Sequence, residues 1–312
     1  MKIAIDCGHG SNTSGKRTPP FTKSVDVNQD GVMDVKKREQ YREHYANVGV
    51  AVELNQELSR LGFETVKVSW DDEDGTNDVN VPLTTRQKQI KNAGCDLSIS
   101  IHFNAYGDGT EFNDSQGIGT FIHSDDTKVG DSEKLATIVQ NYLFKGTLQK
   151  NRGVKKQNLA MCNTKAMNTK ASILVELAFM TNEREAQDLM ANQQFWKECA
   201  KEISQGICEY ANVTYVEDTI VHKKTNPYPV PKTTVYYRRF RIMSGNSVRW
   251  VQWELLDAGF HIVTINGSKK NLILDGKCGP ITNVAIRNYQ KKYKLKVDGK
   301  VGLATRTSMI ND

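Results

Sequence analysis

No stretch of the 312-residue chain approaches the ~18 consecutive apolar residues that a membrane-spanning helix requires, which excludes an integral helical membrane protein. The opening "MKIAIDCGHG" sets Asp6 and two glycines where a secretory leader would need a longer apolar stretch. The expectation is a protein made in the cytoplasm without a signal peptide. Six cysteines stand far apart with no CxxC pair, in a chain too long to need stapling, and they read as reduced thiols. Proline is scarce, at seven residues. What is present is an ordinary globular composition, 38% hydrophobic and 25% charged, long enough for two domains at ~100–200 residues each.

Three of the seven prolines fall in "VHKKTNPYPVPKTT", 221 to 234, where no apolar run accompanies them, and proline at this density favours an extended spacer. The charge divides near the same place. From His222 onward there are 17 Lys and Arg against 5 Asp and Glu, +12, which leaves −6 on the rest of a chain whose total is +6. Such asymmetry suggests a basic binding module attached to a second domain. The expected organisation is a first domain over 1–213, a linker over 214–239 and a second domain over 240–312.

The first domain alternates strand-like and helix-like segments. "KIAID", "ETVKVSW", "CDLSISIHF", "GIGTFIHS" and "SILVELAF" are rich in Ile, Val and aromatics and read as strands. Helical spacing marks 39–62, "LTTRQKQIKNAG", "DSEKLATIVQNYLFKGTLQ" and a long closing helix over 184–210. This alternation predicts an α/β fold, a mixed but mostly parallel sheet flanked by helices, with functional groups gathered at strand ends.

Three polar residues sit at such ends. His9 follows the first strand, His102 stands where "SISIHFNA" runs out, and Glu176 interrupts the apolar run "SILVELAF". A lone histidine at a strand end is commonly a hydrogen-bonded turn residue, and a lone buried carboxylate is either salt-bridged or functional. Three of them on separate strands of one domain suit a zinc hydrolase, which needs His and carboxylate ligands, an open position for water and a further carboxylate to move the proton. The third ligand stays open between Glu39 and Glu43, with His44 outside. Gly8 and Gly10 read as flexible backbone that lets the strand end aim His9.

"IDCGHG", "REHYANVGVAVELNQELSRLGFE", "RQKQIKNAGCDLSISIHFNA", "NRGVKKQNLAM" and "ILVELAFMTN" together resemble, in order and spacing, the zinc-dependent N-acetylmuramoyl-L-alanine amidases of the Amidase_3 type. The resemblance implies hydrolysis of the amide between N-acetylmuramic acid and L-alanine in bacterial peptidoglycan. It places the zinc ligands on His9, Glu43 and His102, and the general base on Glu176. Glu43 is preferred over Glu39 because the family's Glu lies four residues before an Asn, here Asn47. A zinc peptidase cutting another peptidoglycan amide, or a non-catalytic wall-binding protein, would share much of this pattern. With no leader, the resemblance is to phage endolysins that act on the wall after release, and next to host autolysins.

Between His9 and Glu43 the chain is longer than the family pattern. The extra stretch "DVNQDGVMD" puts Asp26, Asn28, Asp30, Gly31 and Asp34 at positions 1, 3, 5, 6 and 9 of an EF-hand-like loop, a candidate Ca2+ site whose position 12 is Lys37 instead of Glu. Near the other end, the octets "DGKCGPIT" and "DGKVGLAT" repeat Asp, Gly, Lys, Gly and Thr, 23 residues apart. They resemble the PG_binding_1 peptidoglycan-binding domain and imply a small three-helix unit. Their Asp275, Asp298 and glycines read as turns and caps, and Trp250, Trp253 and Tyr289 as core. No nucleic-acid motif accompanies the basic residues, so the expected partners are peptidoglycan and anionic wall polymers, with neither nucleic acid nor membrane.

Overall fold

The computed structural model describes every residue except 30–31, 72–74, 125–128, 146, 218–225, 238–241, 261, 266 and 312. The chain divides into two units, Met1–Glu217 and Asp218–Asp312.

In the first unit, β1 (Lys2–Cys7), β2 (Glu64–Val68), β3 (Leu97–Asn104), β4 (Ile118–Ile122), β5 (Asn151–Lys156) and β6 (Ala171–Phe179) form one sheet in the order β2-β1-β3-β6-β4-β5. β4 runs antiparallel to β6 and every other neighbouring pair is parallel. Among the described residues, α1 (Glu43–Arg60), α2 (Leu83–Ala93), α3 (Val129–Lys145) and α4 (Thr164–Met167) lie between strands, and α5 (Gln193–Ala211) follows β6. One sheet face, with Ile3, Ile5, Leu97, Ile99, Ile173 and Val175, shares a core with Leu54 and Leu58 of α1, Leu135 and Val139 of α3, and Ile203 and Ile207 of α5. The other face carries a smaller cluster of Ala4 and Val68 with Ile90 of α2 and Met167 of α4. Both faces are covered, so the inner strands read as nearly continuous apolar runs.

Strand alternation puts Asp6, Ser98, Ser100 and His102 on the α2 face, opposite Ile5, Ile99 and Ile101. Asp6 and Ser100 are fully buried and in register, and Ser100 Oγ donates to Asp6 Oδ2 at 2.6 Å. This polar seam leads straight to the strand ends.

Three sequence expectations change. α1 starts at Glu43, not at 39, because residues 36–39 form a turn in which Lys36 N–H donates to Glu39 Oε2 at 2.8 Å. The closing helix is interrupted: Glu185–Met190 is a π-helix, and extended Asn192 (φ −147°) caps α5 by accepting Gln194 N–H. β5 had no apolar run to announce it, since it is an edge strand hydrogen-bonded only to β4.

The second unit contains β7 (Val235–Tyr236), α6 (Asn246–Asp257), β8 (Ile262–Ile265), β9 (Ser268–Asn271), α7 (Pro280–Lys292), β10 (Lys300–Val301) and α8 (Leu303–Asn311). Trp250, Val251, Leu255, Ile286 and Tyr289 fill its core, while Trp253 is only partly buried. The repeated octets prove to be structural. Buried Gln252 reaches Asp275 Oδ1, Lys277 O and Thr282 Oγ1 through Nε2 and accepts Gly276 N–H on Oε1. Gln290 repeats this wiring on Asp298, Lys300, Thr305 and Gly299. Each Asp accepts the N–H two residues on, and Gly276 and Gly299 take φ near +70°, which glycine adopts without strain.

Candidate metal centre

At the C-terminal end of β1 the chain turns sharply, held to β3 by Gly8 N–H donating to Ile101 O at 3.0 Å. His9 adopts φ +64°, a left-handed conformation uncommon for a residue with a side chain. Three successive carbonyls of this turn are gripped by side chains. Arg86 donates to Cys7 O and to His9 O, both at 2.6 Å, while His44 Nδ1 and Asn47 Nδ2 donate to Gly8 O at 2.9 and 3.0 Å. His44, on α1 but facing away from the metal group, sets its other nitrogen 2.9 Å from Asp78 Oδ2. Gly8 and Gly10 are needed for space, not for flexibility. A Cβ on Gly8 would meet the His102 ring at 2.2 Å, and one on Gly10 would meet the Asn80 backbone at 2.3 Å.

The turn brings His9 beside Glu43 and His102. His9 Nε2 lies 3.3 Å from Glu43 Oε2, and His102 Nδ1 lies 3.1 Å from Glu43 Oε1, which also accepts Phe103 N–H at 3.2 Å. The two imidazoles stand edge to face, 5.0 Å apart. One ligand atom from each residue falls within 4.8 Å of the other two, the single such group among the described residues. A tetrahedral ion with ~2.1 Å bonds sets its ligands roughly 3.4 Å apart, so small side-chain motions close the site around it. Glu43 Oε2 is buried and accepts no hydrogen bond, as an atom reserved for a cation would be. Glu39 is exposed and lies outside the group.

Burial and the short His–Glu contacts set the protonation of the three groups. Burial pushes the His9 pKa down to about 4, outweighing the pull of Glu43, so its ring is a neutral donor at physiological pH. Burial works against ionised Glu43, yet the hydrogen bond and charge of His102 hold its pKa below the ordinary value. His102 is raised despite burial, by that same bond to Glu43.

Glu176 stands on β6 in register with His102, so adjacent parallel strands present both side chains to one face. On its other side the register partner is Gly119 of β4, which contributes no side chain. Its Oε2 is buried without a hydrogen-bond partner, and burial raises its pKa to about 8, with His102 lowering and Glu43 raising it. Just beyond, buried Glu185 of the π-helix accepts the N–H groups of Gly117 and Phe179 and the Gln149 amide, fixing the end of β6.

The insertion packs Phe21, Val25, Val27 and Val35 against Ala186 and Ala191, and Lys23 pairs with Asp188 at 2.6 Å. Asp30 and Gly31 of the candidate calcium loop lie outside the described residues. Asp34 is engaged within the loop, accepting Val27 N–H at 2.7 Å, and nothing supports calcium there.

Sequence reasoning gave no role to Arg86, Asp6 or Glu185, and used Asn47 only as the spacing mark for Glu43. Arg86 had one signal: it lies four residues before Ile90, on the stripe of α2 that is buried.

Two histidines and a glutamate at the carboxyl end of a mostly parallel sheet, with a second buried glutamate beside them, are the residue types from which a metallohydrolase draws its ligands and base. The chain matches the Amidase_3 family, N-acetylmuramoyl-L-alanine amidase, over residues 3–209, and a peptidoglycan-binding domain family, PG_binding_1, over 244–309. It belongs to the Amidase_3 family and is an N-acetylmuramoyl-L-alanine amidase joined to a peptidoglycan-binding domain. The fold is that of the N-acetylmuramoyl-L-alanine amidase from Clostridium difficile 630: TM-score 0.51, 24% identity, covering 68% of this chain and 96% of that one. The catalytic domain of CwlV, an N-acetylmuramoyl-L-alanine amidase from Bacillus (Paenibacillus) polymyxa var. colistinus, gives 0.50 and 22%, covering 68% and 99%. No curated protein matches the chain.

Proposed function

We propose that the chain cleaves the amide between the lactyl group of N-acetylmuramic acid and the first L-alanine of the peptidoglycan stem with a zinc ion held by His9, Glu43 and His102. The observation that carries this reading is the pair of buried carboxylate oxygens without a hydrogen bond, Glu43 Oε2 and Glu176 Oε2, beside two histidines that approach the Glu43 carboxylate, His9 at Oε2 and His102 at Oε1. When bound there, zinc supplies Lewis acidity toward the scissile carbonyl, acidifies the attacking water and draws Glu176 toward its ionised form. Glu176 then takes the proton from the attacking water and delivers it to the departing alanine amine. Its Oε2, buried and without a hydrogen-bond partner, is left for that transfer. The excess of Lys and Arg from His222 onward suits attachment to anionic wall polymers as well as to peptidoglycan. We take the protein to be endolysin-like, acting on the wall after release from the cell that makes it.

Digestion of purified peptidoglycan, with and without a chelator, tests the reading. New N-terminal L-alanine without new reducing sugar, lost on chelation and regained with zinc, is the expected outcome. Glu176→Gln should fold and bind zinc yet release no alanine. Full activity in that variant, or activity indifferent to chelation, rules the assignment out.

A further inference from the structure

Arg86 takes no part in the chemistry above, yet it is among the largest fully buried side chains in the protein. All five of its N–H groups are matched. Nε donates to Val81 O at 2.8 Å, Nη1 to Cys7 O at 2.6 Å and Asp6 Oδ1 at 3.1 Å, and Nη2 to His9 O at 2.6 Å and Asn80 Oδ1 at 3.0 Å. Asp6 balances the charge and is itself steadied by Ser100. Taking a guanidinium fully out of water is costly, and such a group persists where its geometry is used. Two of its acceptors, the carbonyls of Cys7 and His9, flank Gly8 on the turn that aims His9. The left-handed conformation of His9 is strained for a non-glycine residue, and it persists because its surroundings over-determine it. Helix α2 supplies no ligand to the metal group, so its influence on that group runs through this grip.

We propose that Arg86 is a positioning residue for the metal centre: by clamping the backbone on both sides of Gly8 it pre-assembles His9 against Glu43 before an ion arrives. The inference rests on the zinc reading of His9, Glu43 and His102. Lysine cannot replace it, because a point charge with three donors does not span five acceptors laid out for a planar fork. Groups behind a ligand commonly change metal affinity by about 10–100-fold, and that is the size expected here.

The test is zinc affinity, measured by competition with a chromophoric chelator, beside the unfolding temperature of the zinc-free protein. Wild type, Arg86→Lys and Ile207→Ala, a core truncation on α5, are compared. Arg86→Lys should bind zinc about 10–100-fold more weakly. Ile207→Ala should bind as wild type does although it is destabilised, which separates positioning from a general loss of stability. Wild-type affinity in folded Arg86→Lys overturns the proposal while leaving the zinc reading intact. A wild type that binds no zinc overturns the zinc reading first. If Arg86→Lys does not fold, Asn80→Ala takes its place. Asn80 is exposed and orients Nη2, so its loss should weaken zinc binding several-fold at unchanged unfolding temperature, and unchanged affinity there refutes the idea.

Discussion

Gly8→Ala should separate activity from stability. The backbone at Gly8 is not left-handed, so alanine meets no dihedral penalty, and loss of unfolded-state freedom stabilises by about 0.4–1 kcal/mol. The obstacle is steric. The new methyl would lie 2.2 Å from Cε1, 2.4 Å from Nδ1 and 2.6 Å from Nε2 of His102, where ordinary contact begins near 3.4 Å. Opening 2.2 Å to 3.4 Å displaces ring and methyl by about 1.2 Å, and the ring cannot swing far because Glu43 holds its Nδ1. A mismatch of about 1 Å at a catalytic centre costs on the order of 10²-fold in rate, whereas overpacking costs about 1–3 kcal/mol of stability. The expected variant is therefore folded, with an unfolding temperature lowered by a few degrees, and at least about 100-fold slower in clearing purified peptidoglycan at saturating zinc. Clearance at the wild-type rate would refute the claim that Gly8 is there to admit the His102 ring.

Glu185→Ala strands the buried N–H groups of Gly117 and Phe179, and should lower the free energy of unfolding in urea by at least about 3 kcal/mol. Glu202 is pushed up to about 8, by burial first and then by the charge of Glu198. The folded state therefore keeps a proton that the unfolded chain loses near 4.5, and this contribution is complete below pH 4.5 and is lost as pH rises through 8. Glu202→Gln should thus gain stability over wild type at pH 8 relative to pH 5, read from denaturant midpoints at both. Gln290→Ala leaves Gly299 N–H and Lys300 O without their buried partner and should destabilise the second unit by about 2–4 kcal/mol, while cleavage of a soluble muramyl peptide is unchanged.

Much of the site was legible because its chemistry runs against local preference. His102 and Glu176 are polar residues at the ends of apolar strands, a costly placement that marks them whatever the fold. Glu43 was less visible. In a stretch of sequence rich in charge it is one glutamate among several, and its choice over Glu39 came from a family spacing. The chain turn at 36–39, which removes Glu39 from the helix altogether, has no such spacing to announce it. Gly8 and Gly10 show the converse: glycine in a sequence signals either a dihedral or a close approach, and only the neighbours decide which. Here the positive φ belongs to His9, and the glycines make room.

The sequence by itself determined the alternation of strands and helices, the two-part organisation of charge, the repeated turns of the second unit, and the residue types needed for metal-assisted hydrolysis. These depend on period, composition and short-range chemistry, all of which are local along the chain. Tertiary structure alone decided that His9, Glu43 and His102 meet within 4.8 Å, that Glu176 joins His102 on one face of the sheet, and that Arg86 grips the turn from 77 residues away. Those relations come from strand order and register, which bring distant segments side by side, and no local pattern specifies them.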